Sequence, residues 1–133
     1  VFAITMENHG PLHLERVAPE DMQQLYGTAP PAGCEDLTIY LRHLRNANRM
    51  IGSLHMQLDA LKRPVSLCWY GDHVPIMPTV YATFGQPSGL VPYACWRNSA
   101  ARSNAAENSL PPQLLTADML SCQWLAGLGL WRD

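Results

Sequence analysis

Two short polar clusters carry the side chains best suited to chemistry. Asp72 and His73 are adjacent, between Gly71 and Val74-Pro75, and His9 lies within Glu7-Asn8-His9-Gly10-Pro11. A carboxylate and a neutral imidazole are both good donors to a divalent cation. Consecutive residues of a regular strand point to opposite faces, so Asp72 and His73 can serve one metal only where the chain bends. Gly71 and Pro75 are placed to make that bend. Two ligands are too few for a tight site, so further ligands must come from elsewhere. The competing reading is a turn in which Asp72 caps a backbone N–H.

Both clusters follow apolar runs that read as strands, Val1 to Thr5 and Val65 to Tyr70. Between them, residues 12–34 look irregular, with a short helix near Glu20–Tyr26 and a breaker at Pro30-Pro31-Ala32-Gly33. A long helix follows from about Glu35 to Lys62, because Leu37, Leu41, Leu44, Ile51, Leu54, Leu58 and Leu61 recur at three- and four-residue steps. Arg42, Arg45 and Arg49 share its other side and read as a solvated face, with a phosphate or lipid-headgroup contact as the sharper alternative. Two apolar strands around one helix make a βαβ crossover, which implies parallel strands. Ligands of such sheets bind beyond the carboxyl ends of strands, so His9 and Asp72-His73 are expected to face one crevice.

After the second cluster, residues 79–92 read as a Gly- and Pro-containing excursion and Tyr93–Trp96 as a third short strand. Asn98 to Asn108 reads as an exposed loop, and about Pro112–Leu125 as a terminal helix. Trp69 and Tyr70 suit a sheet core better than a sugar platform. His43 and His55 are expected at the helix surface or its boundary, and Pro11 argues against a helical metal face made by His9 and His13.

The chain has 133 residues, 47% of them apolar, and a formal net charge of -2. This suits a globular domain and lacks the basic excess of a general nucleic-acid binder. No apolar run approaches the roughly 18–20 residues of a transmembrane helix, and no secretory leader is recognisable. The opening inside an apolar run, without Met, reads as a segment of a longer protein. Cys34, Cys68, Cys95 and Cys122 form no CxxC pair. Cys68 and Cys95 sit in apolar runs and read as small buried hydrophobes.

The two clusters resemble a known family. Thr5-Met6-Glu7-Asn8-His9-Gly10-Pro11 resembles the S/T-M-x-N-H-x-P segment of lipoteichoic acid synthases and related sulfatase-like proteins of the alkaline phosphatase superfamily. Trp69-Tyr70-Gly71-Asp72-His73 resembles their Y/F-x-G-D-H segment. The order and the intervening long helix also agree, and the stretch Leu114–Gly129 is weakly similar to the family's last helix. The resemblance implies an α/β fold: one partial catalytic domain over residues 1–133, built on a parallel sheet with flanking helices and lacking its N-terminal half.

It further implies that Asp72 and His73 are ligands of a divalent metal (Mn, Mg or Ca) in an incomplete site. By the same resemblance His9 contacts the transferred phosphate or sulfate group, as a catalytic and substrate-binding residue. Asn8 and Arg97 are candidates to line the crevice. The family's nucleophile and remaining acidic ligand lie upstream of the first motif, and Thr5 and Thr79 match neither. The implied activity is phosphoryl, phosphoglycerol or sulfuryl transfer or hydrolysis on an anionic cell-envelope glycan or lipid, by a membrane-anchored protein with a periplasmic catalytic domain. This segment alone would be inactive. The alternative is a non-catalytic interaction module or degenerate relative that self-associates through an exposed sheet edge.

Overall fold

The structure, a computed structural model, describes residues 1–102 and 113–130. In chain order these residues form a 3₁₀ turn at Leu12–Leu14, α1 (Pro19–Leu25), α2 (Glu35–Asp59), β1 (Ser66–Tyr70), α3 (Pro78–Phe84), β2 (Tyr93–Arg97), α4 (Ser99–Arg102) and α5 (Ala117–Gly127). The expected mixed α/β class holds. The chain divides into two compact units, Val1–Met56 with Gly71–Val91, and Gln57–Tyr70 with Pro92–Asp133.

The first unit is helical. Its core gathers Leu12, Cys34, Ile39, Met77 and Val80, with Val17, Leu37, Tyr40 and Tyr81 packed against them. Ile39, 1% exposed, is worth about 1.5–3 kcal/mol of burial. Pro19 at the first position of α1 suits a site whose N–H has no helical partner. Asp21 accepts the Ala18 N–H at 3.0 Å, which is half of a capping box, since Ala18 has no side-chain acceptor to return. Glu35 and Asp36 occupy the first turn of α2, where carboxylates favour the positive end of the helix dipole. α3 replaces part of the excursion expected at 79–92. Its β-branched Thr79, Val80 and Thr83 obscured it, while Pro78 at the first turn was its available signal.

The leucine stripe expected to dominate α2 is only half-buried, with Leu44 and Leu61 exposed. The buried positions are Thr38, Ile39 and His43. Thr38 is kept by a hydrogen bond between its Oγ1 and the Tyr26 hydroxyl at 3.0 Å. His43 therefore corrects the expectation of a surface histidine.

In the second unit β1 pairs with β2 antiparallel, with Ser66 opposite Arg97 and Cys68 opposite Cys95. The parallel pairing of residues 1–5 with 65–70 is not found. Residues 1–5 carry no regular structure and are exposed. A strand needs a neighbour to take up its N–H and C=O groups, and no described strand lies in register with them. α5 bonds to the sheet through Trp124, whose indole N–H donates to Ser66 Oγ at 2.7 Å.

Asn98 reads as loop in sequence yet is fully buried. Its amide nitrogen donates to the carbonyls of Leu58, Leu61 and Arg63 at 3.2, 3.1 and 2.9 Å. Its Oδ1 accepts the Val65 and Ala101 N–H groups at 2.9 and 3.0 Å. One side chain thus closes the carbonyl end of α2, the entry to β1 and the start of α4. The rest of the expected loop, residues 103–108, and Pro112 at the expected helix start lie outside the described residues.

Candidate functional site

His9 closes a tight turn. Its N–H donates to the Met6 carbonyl at 3.1 Å, and its ring Nδ1 lies 2.7 Å from the Gly10 carbonyl. Nδ1 is then the protonated nitrogen, and Nε2 of the neutral ring keeps its lone pair for another partner. The turn is fastened to α2 on both sides. Asn46 Nδ2 donates to Glu7 Oε1 at 2.7 Å. Beyond the turn, Glu15 meets Arg42 Nη2 at 2.6 Å and His43 Nε2 at 2.8 Å. An open cleft of about 390 Å³ results, lined by Met6, Glu7, His9, Glu15, Arg42, His43 and Asn46.

Charge is dense beside this cleft. Arg42 Nη1 also donates to Asp21 Oδ2 at 2.6 Å and to the Arg16 carbonyl at 3.1 Å. Arg45 approaches Asp21 Oδ1 at 3.7 Å and donates to Gln24 at 2.5 Å. The hydrogen bond from His43 holds the Glu15 carboxyl below its ordinary pKa; partial burial opposes this, and Arg42 adds to it. Burial works to raise Asp21, but the Ala18 N–H, Arg42 and Arg45 outweigh it and its pKa is lowered. Arg42 and Arg45 are therefore not the solvated face that helix periodicity suggests. Their partners stand in the irregular segment and in α1, 21 or more residues away, and no local pattern announces them.

The second motif is built differently. Asp72 and His73 project from an exposed turn, with side chains 80% and 59% accessible. Asp72 Oδ1 accepts the His73 N–H at 3.0 Å, which is the capping contact of the competing reading. His73 Nδ1 lies 2.8 Å from the Val74 carbonyl, leaving Nε2 the lone pair of the neutral ring. Asp72 Oδ2 and His73 Nε2 then stand 3.6 Å apart. Gly71 does not use a left-handed backbone here, since its φ is not among the positive ones. A side chain at that position would instead meet Val91 Cβ at 3.3 Å, so the glycine permits close approach rather than a special bend.

The donor set suits a divalent cation in part. Two donors about 2.1 Å from one ion at a tetrahedral angle are roughly 3.4 Å apart, close to the separation found. Each of these two donor atoms lies opposite one held by a local hydrogen bond, the kind of arrangement that orients metal-binding histidines. Among the described residues no group of three or more His, Cys, Asp or Glu side chains is placed to hold a metal ion.

Asn8 lies in the His9 turn and is exposed. Asp72 and His73 do not line the His9 cleft, so the single crevice expected from a parallel sheet is not formed by that cleft. The physical reason is that the first motif does not follow a sheet strand. Arg97 belongs to β2 in the second unit, where its Nη2 donates to the Gly127 carbonyl.

The family model described as Sulfatase matches residues 1–122, and proteins of that family are generally metal-dependent. A Rhizobium meliloti (strain 1021) protein named for cyclic beta-1,2-glucan modification is 32% identical over 92 residues, covering 67% of this chain and 14% of that protein. The capsular polysaccharide biosynthesis protein RkpI of the same organism is 31% identical over 117 residues, 86% of this chain and 19% of that protein. The chain thus spans less than a fifth of the length of either relative. No solved structure matches it significantly. With a match that contains both the His9 and the Asp72-His73 motifs, the chain belongs to the sulfatase family.

Proposed function

We propose that this chain serves a metal-dependent transfer or hydrolysis of a phosphoryl, phosphoglycerol or sulfuryl group on a cell-envelope or capsular glycan. Asp72 and His73 are two ligands of a divalent cation (Mn, Mg or Ca), and His9 contacts the anionic group being transferred. The observation that carries this reading is the Asp72–His73 turn: two unlike donors, 3.6 Å apart and open to solvent. The family match and the glycan-related names of the relatives support the substrate class.

When bound, the cation lowers the pKa of a hydroxyl nucleophile and neutralises charge on the transferred group. Asp72 and His73 fix its position. His9 Nε2, the ring nitrogen not used in the contact to the Gly10 carbonyl, donates to a non-bridging oxygen when protonated and assists departure of the leaving group. Asn8, in the same turn, binds a substrate oxygen, and Arg97 contacts the substrate. No residue of this chain is assigned as nucleophile, and on this reading the chain by itself is inactive. The parent acts outside the cytoplasmic membrane. Among the described residues no helix is long and apolar enough to cross a membrane.

The test is Asp72→Ala in the intact protein, with turnover and bound metal both measured. Loss of both supports the assignment, and full turnover with unchanged metal content rejects it. Assays with phosphoglycerol and sulfate esters side by side separate the two chemistries. A second reading has one observation in its favour: β1 and β2 have no further strand neighbour among the described residues, so this sheet has edges suited to pairing with a second copy. Sedimentation at rising concentration tests that self-association, and a monomer throughout removes it.

A further inference from the structure

Cys68 and Cys95 are direct partners across the β1–β2 ladder. Two kinds of pair alternate along an antiparallel ladder, and the ladder's own bonds tell which kind this is. The Asn98 N–H donates to the Val65 carbonyl at 3.0 Å, so residues 65 and 98 form a hydrogen-bonded pair. Alternation makes 67 and 96 the next such pair, and places 66 with 97 and 68 with 95 in the non-hydrogen-bonded class. In that class opposing Cα atoms are about 4.5 Å apart and the side chains are closest. Disulfides span Cα separations of about 4.4–6.8 Å. The two thiols therefore sit at the short end of the range that a disulfide bridges without backbone movement.

Both cysteines are free, and they differ in access. Cys95 is exposed and Cys68 half-buried. This corrects the expectation that both are buried hydrophobes. Burial, the hydrogen bond with Cys95 and the charge of Cys95 push the Cys68 thiol up to about 12. Such a thiol is a poor first nucleophile and a natural second one, because capping Cys95 removes two of those three causes.

We propose that Cys68 and Cys95 are a redox modification site, closing to a reversible cross-strand disulfide by exchange with a low-molecular-weight disulfide. The Cys95 thiolate attacks one sulfur of glutathione disulfide, and the S–S bond breaks to release one glutathione thiolate. The Cys68 thiolate then attacks Cys95 Sγ in the mixed disulfide and releases the second glutathione. Two protons and two electrons leave the cysteine pair, and two glutathione thiols are formed. Cys95 is exposed, and exposed disulfides are the more readily exchanged and reduced ones, so the site cycles rather than serving as a permanent staple. Cys68 stands four residues before Asp72, so oxidation cross-links the strand that precedes, in sequence, the turn to which the proposed function assigns the metal.

The experiment treats the reduced, folded intact protein with glutathione disulfide at pH 8, quenches with acid, alkylates, and maps non-reduced peptides by mass spectrometry. The expected product joins the Cys68 and Cys95 peptides with loss of two hydrogens, and Cys68 alkylation falls at least tenfold. Cys68→Ser leaves Cys95 as a glutathione mixed disulfide, whereas Cys95→Ser leaves Cys68 largely unmodified. Cys122→Ser retains the link. Dithiothreitol restores both thiols. A stable mixed disulfide on Cys95 in the unsubstituted protein, a link to Cys34 or Cys122 instead, or thiols that stay fully alkylatable would each overturn the proposal.

Discussion

The two motif regions of the first unit are held in opposite ways. The His9 turn is tied to α2 from both sides, by Asn46 to Glu7 and by Arg42 and His43 to Glu15. The Asp72–His73 turn is ordered by bonds to its own neighbours and points its donors into solvent. A side chain that must meet a substrate at one angle gains from distant anchors, which limit its arc of motion. A carboxylate and an imidazole that await an ion need only keep their unused atoms occupied. The contrast predicts that damage to the first region is felt in stability and damage to the second in chemistry.

The largest effect expected is on the second side of that contrast. Asp72→Ala in the intact protein should lower turnover at least about 100-fold, since even outer-shell partners of metal ligands cost 10–100-fold. The same change should move unfolding free energy by less than about 0.5 kcal/mol, as exposed positions without distant partners usually do. A large stability loss would erase the contrast.

Next comes Asp21→Ala. It strips a buried carboxylate from Arg42 and Arg45 and should destabilise by about 3 kcal/mol in urea unfolding. A loss under about 1 kcal/mol would mean that the network is not structural.

The same network sets a pH dependence. Glu15 and Asp21 both have folded pKa values below their ordinary ones. The unfolded state then binds more protons, so their stabilisation is fully present above the ordinary carboxylate values of 4.5 and 3.8. It is lost as pH falls through the lower folded values. Hydrogen exchange followed downward from pH 6 should show the amides of residues 7–16 and 21–25 losing protection first. Uniform loss across the unit would refute that order.

The smallest effect belongs to Asn46→Ala, which removes one exposed hydrogen bond to Glu7. It should cost about 0.5–1.5 kcal/mol and change KM more than metal content. An unchanged KM would show that the Glu7 anchor does not position His9.

Some of this was readable residue by residue. The start of α2 at Glu35, β1 at Ser66–Tyr70 and β2 at Tyr93–Arg97 follow from apolar spacing and from breakers such as Pro31 and Pro64, because those signals are local. The motif pair was legible for the same reason, and the family match agrees with it. α3 was missed because β-branched residues hid a short helix, and α5 begins at Ala117, later than its expected start.

What the amino-acid order determined alone is therefore the inventory: a long amphipathic helix, the apolar strands at 66–70 and 93–97, a polar turn after each of two apolar runs, and membership of a family. Tertiary structure decided the pairing. It paired β1 with β2 antiparallel instead of with residues 1–5, buried His43 and Asn98, and matched Arg42 to carboxylates far along the chain. It also set Cys68 against Cys95 in the closer class of strand pair. Local propensity acts over a few residues, whereas ion pairs, ladder register and burial depend on which distant groups arrive together, and that is settled only when the chain folds.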